Sequence, residues 1–330
     1  MIDNPDINHT FEEAFSIDNM DIFPGEYAMV NLNVGRLPSD TRIDIKAHVY
    51  RSKNPGPCVL VLGGVHGDEI NGVEIVRRAI EEELFVNLER GSVIAIPLLN
   101  VFGFINFSRE VPDGKDVNRS FPGTSRGSLA SRVANTLTKK ILPYVDIAMD
   151  FHTGGASRFN FPQIRYSSAD KNAEELAIIF GSKFVIQKSV IPKSFRKTAR
   201  DMKIPTIVFE GGESTRLDGH SISVAIDGIK KVLSHLDLNH YTMFENQTKP
   251  IMVKKTVWQR APYSGIFIWS KESGMKVKKG EPIGVLKDPY GNKTIKVSAS
   301  RNGYIIGHSN ASVVNQGDAL FHIGYDITEL

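Results

Sequence analysis

Short apolar segments alternate with amphipathic segments over roughly the first 240 residues of the chain. Four of them are almost continuously apolar, which is typical of strands covered on both faces of a sheet: CVLVLGG, SVIAIPLL, VDIAMDF and PTIVFE. The segment IDIKAHVY (43–50) instead alternates apolar and polar residues, as a half-buried strand does. Between these segments, apolar residues recur every three or four positions, as on the buried face of a helix, in stripes that begin at Val73, Leu129 and Ile222. Alternating strands and helices predict an α/β domain with a mainly parallel sheet and helices on both of its faces.

The hydrophobic pattern changes after residue 245. From Ile251 onward, β-branched residues alternate with turns that contain Gly, Asn or Asp, and no helical stripe occurs. Two pairs of similar sequences repeat in this part: APYSGIFI (261–268) with ASRNGYII (299–306), and VKKGEPI (277–283) with VNQGDAL (314–320). We therefore predict an α/β domain over 1–245 and a small all-β domain of two similar halves over 246–330. The second domain resembles the barrel-sandwich hybrid of biotinyl and lipoyl carrier domains, but its KDPYGNK turn lacks their flanking residues, so we predict a structural or lid role.

Composition and charge exclude several classes of protein. Of the 330 residues, 41% are hydrophobic and 23% are charged, which is ordinary for a globular protein. The 40 Lys and Arg residues nearly balance the 37 Asp and Glu residues, so there is no electrostatic case for nucleic acid or an anionic membrane as a partner. The single cysteine, Cys58, lies in an apolar segment and is predicted to be a buried free thiol. The polar amino terminus and the lack of a long apolar segment predict a cytoplasmic protein.

Polar side chains follow four of the predicted strands at the point where each strand ends. His66 follows CVLVLGG, and Asn100 follows SVIAIPLL. His152 follows VDIAMDF, and Glu210 ends PTIVFE. In open α/β sheets, sites form outside the carboxyl ends of the strands. A lone histidine near a strand end is commonly structural, but four such residues at one edge predict a functional site.

The residues at this edge include a complete set of zinc ligands. A catalytic zinc ion takes three protein ligands, commonly two histidines and a carboxylate, and keeps one position open for water. His66 and Glu69, which share the glycine-rich turn GGVHGDE, supply this set together with His152, so we predict one Zn²⁺ per chain. Zinc acidifies water and polarises a carbonyl oxygen, and Glu210 is the candidate that moves the proton as general base and acid. Asp150 is not expected to contact His152.

The segment NVFGFINFSREVPDGKDVNRSFPG (100–123) is broken by glycine and proline and is predicted to be a loop. A single charged residue in such a loop would indicate only a solvated surface. This loop, however, is rich in charged and amide groups of the kind that bind a carboxylate or stabilise an oxyanion: Arg109, Asp116, Asn118 and Arg119. The loop is therefore predicted to bind substrate.

Four motifs, GGVHGDE, DVNRSFPG, DFHTGG and FEGGE, resemble in order and spacing those of the succinylglutamate desuccinylase/aspartoacylase family, a branch of the zinc carboxypeptidase-like fold. The resemblance covers residues 40–240, and it implies a zinc-carboxypeptidase-like mixed sheet. Members of this family also often carry a C-terminal β domain. The chain has Asn-Val after SVIAIPLL where the family usually has Asn-Pro, which places it closer to a separate bacterial branch than to either named enzyme.

The resemblance also implies a role for each site residue. The implied zinc ligands are His66, Glu69 and His152. The implied catalytic residues are Glu210, as general base and acid, and Arg109, which polarises the scissile carbonyl. The implied substrate-binding residues are Asn118 and Arg119, which hold a carboxylate, with Asp116 from the same motif. The named enzymes use a further arginine or tyrosine for the acyl or side-chain group, for which the candidates are Arg165, Arg196, Arg200 and Tyr263.

The pattern favours hydrolysis of the amide bond of a small N-acyl amino acid by a zinc-activated water. One alternative is a metallocarboxypeptidase that removes a C-terminal residue, such as glutamate, from a peptide with the same catalytic residues. A C-terminal domain folded over the cleft would favour the deacylase, because it would admit only small molecules. The other alternative is a non-catalytic metal- or ligand-binding protein, which would not need a base such as Glu210. The acyl group, the amino acid and the formation of a homo-oligomer stay open.

Overall fold

The computed structural model describes residues 13–242 and 249–330. The helices are α1 (Ile70–Glu81), α2 (Val101–Ile105), α3 (Leu129–Lys140), α4 (Lys171–Phe180), α5 (Phe195–Asp201) and α6 (Gly219–His235). The strands before residue 243 are β1 (Phe15–Ile17), β2 (Met20–Ile22), β3 (Tyr27–Arg36), β4 (Arg42–Arg51), β5 (Cys58–Gly63), β6 (Ser92–Ile96), β7 (Ile147–Gly154), β8 (Arg158–Tyr166), β9 (Phe184–Gln187) and β10 (Thr206–Glu213). The strands after residue 248 are β11 (Ile251–Arg260), β12 (Gly265–Trp269), β13 (Lys276–Val277), β14 (Pro282–Lys287), β15 (Thr294–Ser298), β16 (Gly303–Ser309), β17 (Val313–Val314) and β18 (Ala319–Glu329).

Twelve of the described strands form one mixed sheet, in the order β13-β16-β18-β11-β9-β8-β10-β7-β5-β6-β4-β3. Its centre is parallel, because β6, β5, β7 and β10 run in one direction. On either side of this centre, β4 and β8 run antiparallel to it. Consecutive parallel strands need a long crossover connection, whereas only a few residues join β4 to β5 and β7 to β8. A second parallel group, formed by β8, β9 and β11, lies beside the centre. The mixed α/β sheet is therefore present, but the prediction that it is mainly parallel is not confirmed.

Helices cover both faces of the central strands. Along β5, Leu60 and Leu62 belong to one hydrophobic cluster together with residues of α3 and α5, whereas Val59 and Val61 belong to another with α1, α4 and α6. This alternation follows from the two-residue repeat of a strand and explains why the whole segment is apolar. Cys58 at the start of β5 is a buried free thiol, as predicted. Within the described residues, no helix is both long enough and apolar enough to cross a membrane.

The C-terminal part extends the main sheet and adds a second one. β11 pairs in parallel with β9, and β16 pairs antiparallel with β8. The second sheet has the order β15-β14-β12-β17, and one hydrophobic cluster joins Phe267 of this sheet to Phe321 and Ile323 of the main sheet. The predicted domain boundary between 245 and 246 lies outside the described residues, as do residues 1–12. The division into two domains stays a prediction.

The two sequence repeats correspond to two sets of strands. The first half contains β12, β13 and β14, and the second contains β16, β17 and β18. The first strand of each half pairs with the third strand of its own half and with the short strand of the other half: β12 with β14 and β17, and β16 with β18 and β13. The KDPYGNK segment forms the turn between β14 and β15. This reciprocal pairing supports two similar halves, while the likeness to a barrel-sandwich hybrid and the role of the turn stay predictions.

Candidate metal centre and active site

Three neighbouring parallel strands bring the predicted site residues to one edge of the sheet. β5, β7 and β10 run side by side, and His66, His152 and Glu210 lie at or just beyond their carboxyl ends. His152 and Glu210 are paired positions on β7 and β10. Together with Glu69 they line a cavity of about 450 Å³. The structure therefore places these four residues in one site.

The turn that carries His66 needs glycine at two positions. Gly64 has a φ of +61°, in the left-handed region that favours glycine. A side-chain carbon at Gly67 would lie 2.0 Å from the carbonyl carbon of Gly103, because α2 packs directly on the turn. A larger residue at Gly67 would push α2 away and displace the neighbouring His66. The local sequence thus fixes where this ligand lies.

The two histidines and Glu69 face one another in the interior. The Nδ1 atoms of His66 and His152 are 3.2 Å apart. Oε1 of Glu69 lies 2.8 Å from Nδ1 of His66, and its Oε2 lies 2.8 Å from Nδ1 of His152. The backbone N–H of Thr153 donates to the same Oε2 at 3.2 Å. Burial would raise the pKa of Glu69, but the two histidines outweigh burial and hold this pKa well below its usual range.

This set of donor atoms fits zinc. Zinc binds imidazole nitrogen and carboxylate oxygen tetrahedrally at about 2.0–2.2 Å, so two ligand atoms on one ion lie about 3.3 Å apart. The separation of the two Nδ1 atoms is close to this value, and the donor atoms of all three residues lie within 4.8 Å of one another. Two imidazole nitrogens and the oxygens of one carboxylate therefore converge on one point in the interior, as the ligands of a shared cation do.

A carboxylate lies behind each histidine. Oδ2 of Asp150 is 2.8 Å from Nε2 of His152, and Oδ1 of Asp116 is 3.3 Å from Nε2 of His66, at ion-pair distance but without hydrogen-bond alignment. Burial lowers the pKa of His152, but Asp150 and Glu69 outweigh burial and raise it well above its usual value. Carboxylates in these positions keep Nδ1 of each ring directed at the ligand cluster. The expectation that Asp150 would not contact His152 is wrong, because residues two apart on a strand share a face.

Arg109 links the ligand cluster to Asp116. Its Nη1 lies 3.1 Å from Oε1 of Glu69 and 3.2 Å from Nδ1 of His66. Its Nε and Nη2 donate to Oδ2 of Asp116 at 3.2 and 3.0 Å. Burial would raise the pKa of Asp116, but His66 and Arg109 outweigh it and lower this pKa below its usual range. Asp116, expected among the substrate-binding residues, thus contacts Arg109 and His66 and is not part of the cavity wall.

Glu210 is held by two residues of β8. Nη1 of Arg165 donates to Oε1 at 2.5 Å, and Nδ2 of Asn160 donates to Oε2 at 2.7 Å. The Glu210 side chain is 14% exposed and lines the cavity, so a water molecule can reach it. Glu213, three residues later, is directed elsewhere, since its Oε2 accepts from Nδ2 of Asn310. Glu210 is therefore the carboxylate of FEGGE that is available for chemistry.

The remaining candidates of the substrate-binding loop differ in their surroundings. Asn118 and Arg119 lie in a short 3₁₀ turn and line the cavity. Oδ1 of Asn118 accepts from the backbone N–H of Phe195 at 2.8 Å, which orients the amide. Asn100 is fully buried, caps α2 and donates to the backbone oxygen of Arg109 at 3.2 Å. Asn100 therefore shapes the loop, whereas Asn118 and Arg119 form part of the cavity wall.

Sequence patterns did not reveal part of the cavity wall. Three residues of the cavity wall that no sequence pattern indicated come from β8 and β11: Arg158, Asn160 and Trp258. No motif marks these residues, because they reach the cavity only through the pairing of distant strands. Among the four candidates for the further substrate-binding residue, Arg165 and Arg196 line the cavity, whereas Arg200 and Tyr263 do not.

Comparisons with known proteins identify the family of this chain. Residues 55–236 match the family model of the succinylglutamate desuccinylase/aspartoacylase catalytic domain. The N-alpha-acetyl-L-2,4-diaminobutyric acid deacetylase of Halomonas elongata is 26% identical over 284 residues, which cover 81% of this chain and 82% of the relative. A solved succinylglutamate desuccinylase/aspartoacylase from Rhodobacter sphaeroides has a TM-score of 0.80 at 25% identity and covers 92% of this chain and 95% of its own. The product-bound ectoine utilization protein EutE (DoeB) from Ruegeria pomeroyi has a TM-score of 0.79 at 22% identity, with coverages of 91% and 94%.

The matched region spans more than half of the chain, and it contains His66, Glu69, His152 and Glu210. Homologous enzymes are deacylases, which supports a hydrolase activity. The chain belongs to the succinylglutamate desuccinylase/aspartoacylase family.

Proposed function

We propose that this protein is a zinc-dependent hydrolase that cleaves the amide bond of a small N-acyl amino acid. The proposal rests on one observation: the cluster of His66, Glu69 and His152 lines the same cavity as Glu210. A site that only held a metal ion would not need an accessible carboxylate, fixed by two donors, on the adjacent strand. The deacylases among the homologous proteins support the same chemistry.

One zinc ion would be held by Nδ1 of His66, Nδ1 of His152 and the carboxylate of Glu69. When bound, zinc supplies a Lewis acid that acidifies water and polarises a carbonyl oxygen. Asp150 and Asp116 lie on the far nitrogens of the two rings and keep both Nδ1 atoms directed at this position. The fold thus determines which residues would bind the zinc ion and which ring nitrogen of each histidine would face it.

Glu210 moves the proton in this proposal. It takes a proton from the attacking water and delivers it to the leaving nitrogen of the amide. Arg109 lies beside the ligand cluster, where its N–H groups can donate to the carbonyl oxygen as negative charge develops. Asp116 holds that guanidinium through two hydrogen bonds, so the donors are oriented before the substrate binds.

Asn118 and Arg119 bind the carboxylate of the substrate in this proposal. Both line the cavity, and arginine pairs with a carboxylate through two parallel hydrogen bonds. Because Oδ1 of Asn118 already accepts from a backbone N–H, its amide N–H groups are the ones left to act as donors.

The dimensions of the cavity favour a small substrate over a peptide. A volume of about 450 Å³ lies within the range of small-molecule sites. Trp258, from the C-terminal part, forms one wall and stacks on the buried His322 with ring centroids 4.2 Å apart. The C-terminal part therefore contributes to the wall of the cleft, which supports the deacylase over the carboxypeptidase.

The carboxylate-binding role predicts a preference that can be measured with the wild-type enzyme. An N-acyl amino acid should have a kcat/KM at least about 10-fold higher than its carboxamide analogue, because the amide cannot form an ion pair with Arg119. Arg119→Ala should lose this preference mainly through a higher KM. Arg109→Ala should keep the preference and mainly lower kcat, because its contact forms as charge develops. Steady-state kinetics on both substrates provide the measurement.

An exposed arginine outside the cavity supplies the control for these variants. Arg126→Ala should match the wild-type enzyme on both substrates. Equal hydrolysis of acid and carboxamide by the wild-type enzyme would show that no carboxylate is bound, so the roles of Asn118 and Arg119 would be wrong. Faster cleavage of a peptide with C-terminal glutamate than of any N-acyl amino acid would favour the carboxypeptidase.

Arg196 indicates a second anionic group on the substrate. It lines the cavity, its Nη2 donates to the backbone oxygen of Ser189 at 2.9 Å, and its buried Nη1 has no hydrogen-bond partner among the described residues. Burial, and then repulsion by Arg165, lowers its pKa to about 10. A buried cation with an unpaired donor is stabilised when an anion binds beside it. We therefore assign an anionic acyl group or an anionic side chain to the substrate.

This assignment predicts a substrate preference different from the one named for the Halomonas relative. N-acyl aspartate or an N-succinyl amino acid should be hydrolysed at least about 10-fold more efficiently than Nα-acetyl-2,4-diaminobutyrate, whose side chain is cationic. Arg196→Gln should remove this preference, whereas Arg200→Gln, on the same helix but outside the cavity wall, should keep it. Competition assays with pairs of substrates would measure both. An unchanged preference in Arg196→Gln, or a wild-type preference for the cationic substrate, would contradict the assignment.

A further inference from the structure

The carboxylate of Glu210 depends on β8 for its orientation. Asn160 donates to one oxygen and Arg165 to the other. Asn160 is 5% exposed, so its side chain is confined by its neighbours. A carboxylate only accepts hydrogen bonds, which means that the amide nitrogen of Asn160 must face Glu210. Asn160 therefore has one defined orientation and one defined partner at the site.

The C-terminal part of the chain determines where Asn160 lies. β16 pairs antiparallel with the start of β8, and Gly307 is the position opposite Asn160. Nε2 of Gln163, on the same strand, donates to the backbone oxygen of Ile306 at 2.9 Å and ties β8 to β16 a second time. A side-chain carbon at Gly307 would lie 2.8 Å from Oδ1 of Asn160 and 2.9 Å from the backbone oxygen of Phe159. With a larger residue at 307, Asn160 or the strand backbone would have to shift, so glycine at this position allows the close approach of β16.

We propose that Asn160 is a positioning residue for the catalytic carboxylate of Glu210, and that β16 of the C-terminal part holds it in place through Gly307. This inference rests on the proposed function, because it requires Glu210 to be the general base. The C-terminal part then does more than border the cavity: it sets the direction in which the base presents its oxygens. A general base must lie within hydrogen-bond reach of the proton it takes, so a small rotation of Glu210 lowers the rate.

Two variants of Asn160 separate the donor from the volume of the side chain. Asn160→Leu keeps a similar volume without adding a charge and removes both N–H donors, and Asn160→Ala removes the donors and the volume. We expect both to lower kcat by about 10- to 100-fold, with KM changed less than about 3-fold and zinc content unchanged. A loss in Asn160→Ala alone would show that the volume matters and would overturn the proposal. An effect mainly on KM would assign Asn160 to substrate binding and would also overturn it.

A double-mutant cycle with Glu210→Gln distinguishes positioning from a general structural role. If Asn160 acts through Glu210, then Asn160→Ala should add less than about 2-fold to the loss in the Glu210→Gln enzyme. A full additional loss would mean that Asn160 acts by another route. Normal kcat in both Asn160 variants beside a defective Glu210→Gln would overturn this inference and leave the proposed function intact. Normal kcat in Glu210→Gln would overturn the proposed base itself.

Gly307→Ala tests the contribution of the C-terminal part by a change at a residue that does not itself line the cavity. The added methyl group should displace Asn160 and lower kcat several-fold, with no further loss when combined with Asn160→Ala. Asn302→Ala, in an exposed turn of the same part of the chain, is the control and should keep the wild-type kcat. Thermal melting and zinc content confirm that each variant is folded. Wild-type kcat in a folded Gly307→Ala enzyme would show that β16 does not position Asn160.

Discussion

Replacing either His66 or His152 with alanine is expected to abolish zinc binding and hydrolysis together. The Nδ1 atoms of both rings and the Glu69 carboxylate converge on one point in the interior, so removing either ring leaves only two of the three ligands of this group. Loss of a partner behind a metal ligand already costs about 10- to 100-fold in affinity, and loss of the ligand itself should cost more. We therefore expect less than a tenth of the wild-type zinc content after dialysis, and kcat/KM lower by at least about 10³-fold.

Elemental analysis of the dialysed variants beside an activity assay provides the measurement. His235→Ala removes an exposed histidine of α6 and should retain one zinc per chain. Stoichiometric zinc in both His66→Ala and His152→Ala would exclude this cluster as the metal site. Zinc loss with full activity would separate the metal from the reaction and would contradict the proposed mechanism.

The candidate metal site could be predicted from sequence because its residues follow strands that are apolar throughout. Such strands are buried on both faces, and the parallel ones end at a common edge, so residues as distant as His66 and His152 can be expected to meet. The structure shows β5 and β7 as parallel neighbours, with the two Nδ1 atoms 3.2 Å apart. The local pattern was sufficient here because the carboxyl ends of the parallel strands share one edge of the sheet.

The contacts that orient this site were less predictable. Asp150 lies behind His152 because residues two apart on a strand share a face, a signal that was present in the sequence but was misinterpreted. Asn160 carried no such signal, because its contact with Glu210 depends on β8 running antiparallel to β10. Trp258 reaches the cavity only because β11 extends the main sheet beside β9. Pairing between strands far apart in sequence leaves no local pattern, and these residues depend on it.

In the C-terminal part, too, the sequence predicted the strands of each half but not how those strands pair. The repeated sequences predicted two similar sets of strands, and each set contains a long strand, a short strand and a second long strand. The reciprocal pairing of β12 with β17 and of β16 with β13 was not visible in the repeats. Nor was the pairing of β16 with β8, which joins the C-terminal part to the catalytic edge. The repeated sequences therefore predict the strands of each half, whereas packing between distant strands determines how the halves pair with each other and with β8.

Glu210→Gln is expected to lower kcat by about 100-fold or more while leaving the fold and the zinc content unchanged. The substitution keeps the size of the side chain and removes the group that takes the proton from water and returns it to the leaving nitrogen, a role that contributes about 10²–10⁴-fold. Zinc content should not change, because Glu210 is bound by Asn160 and Arg165 and is not one of the three converging ligands.

Glu213→Gln is the matched comparison, since Glu213 is hydrogen-bonded to Asn310 and is not part of the cavity wall. Its loss of activity should be much smaller. Single-turnover rates and zinc content of the two variants decide between them: a near-normal rate in Glu210→Gln beside a large loss in Glu213→Gln would transfer the role of general base to Glu213.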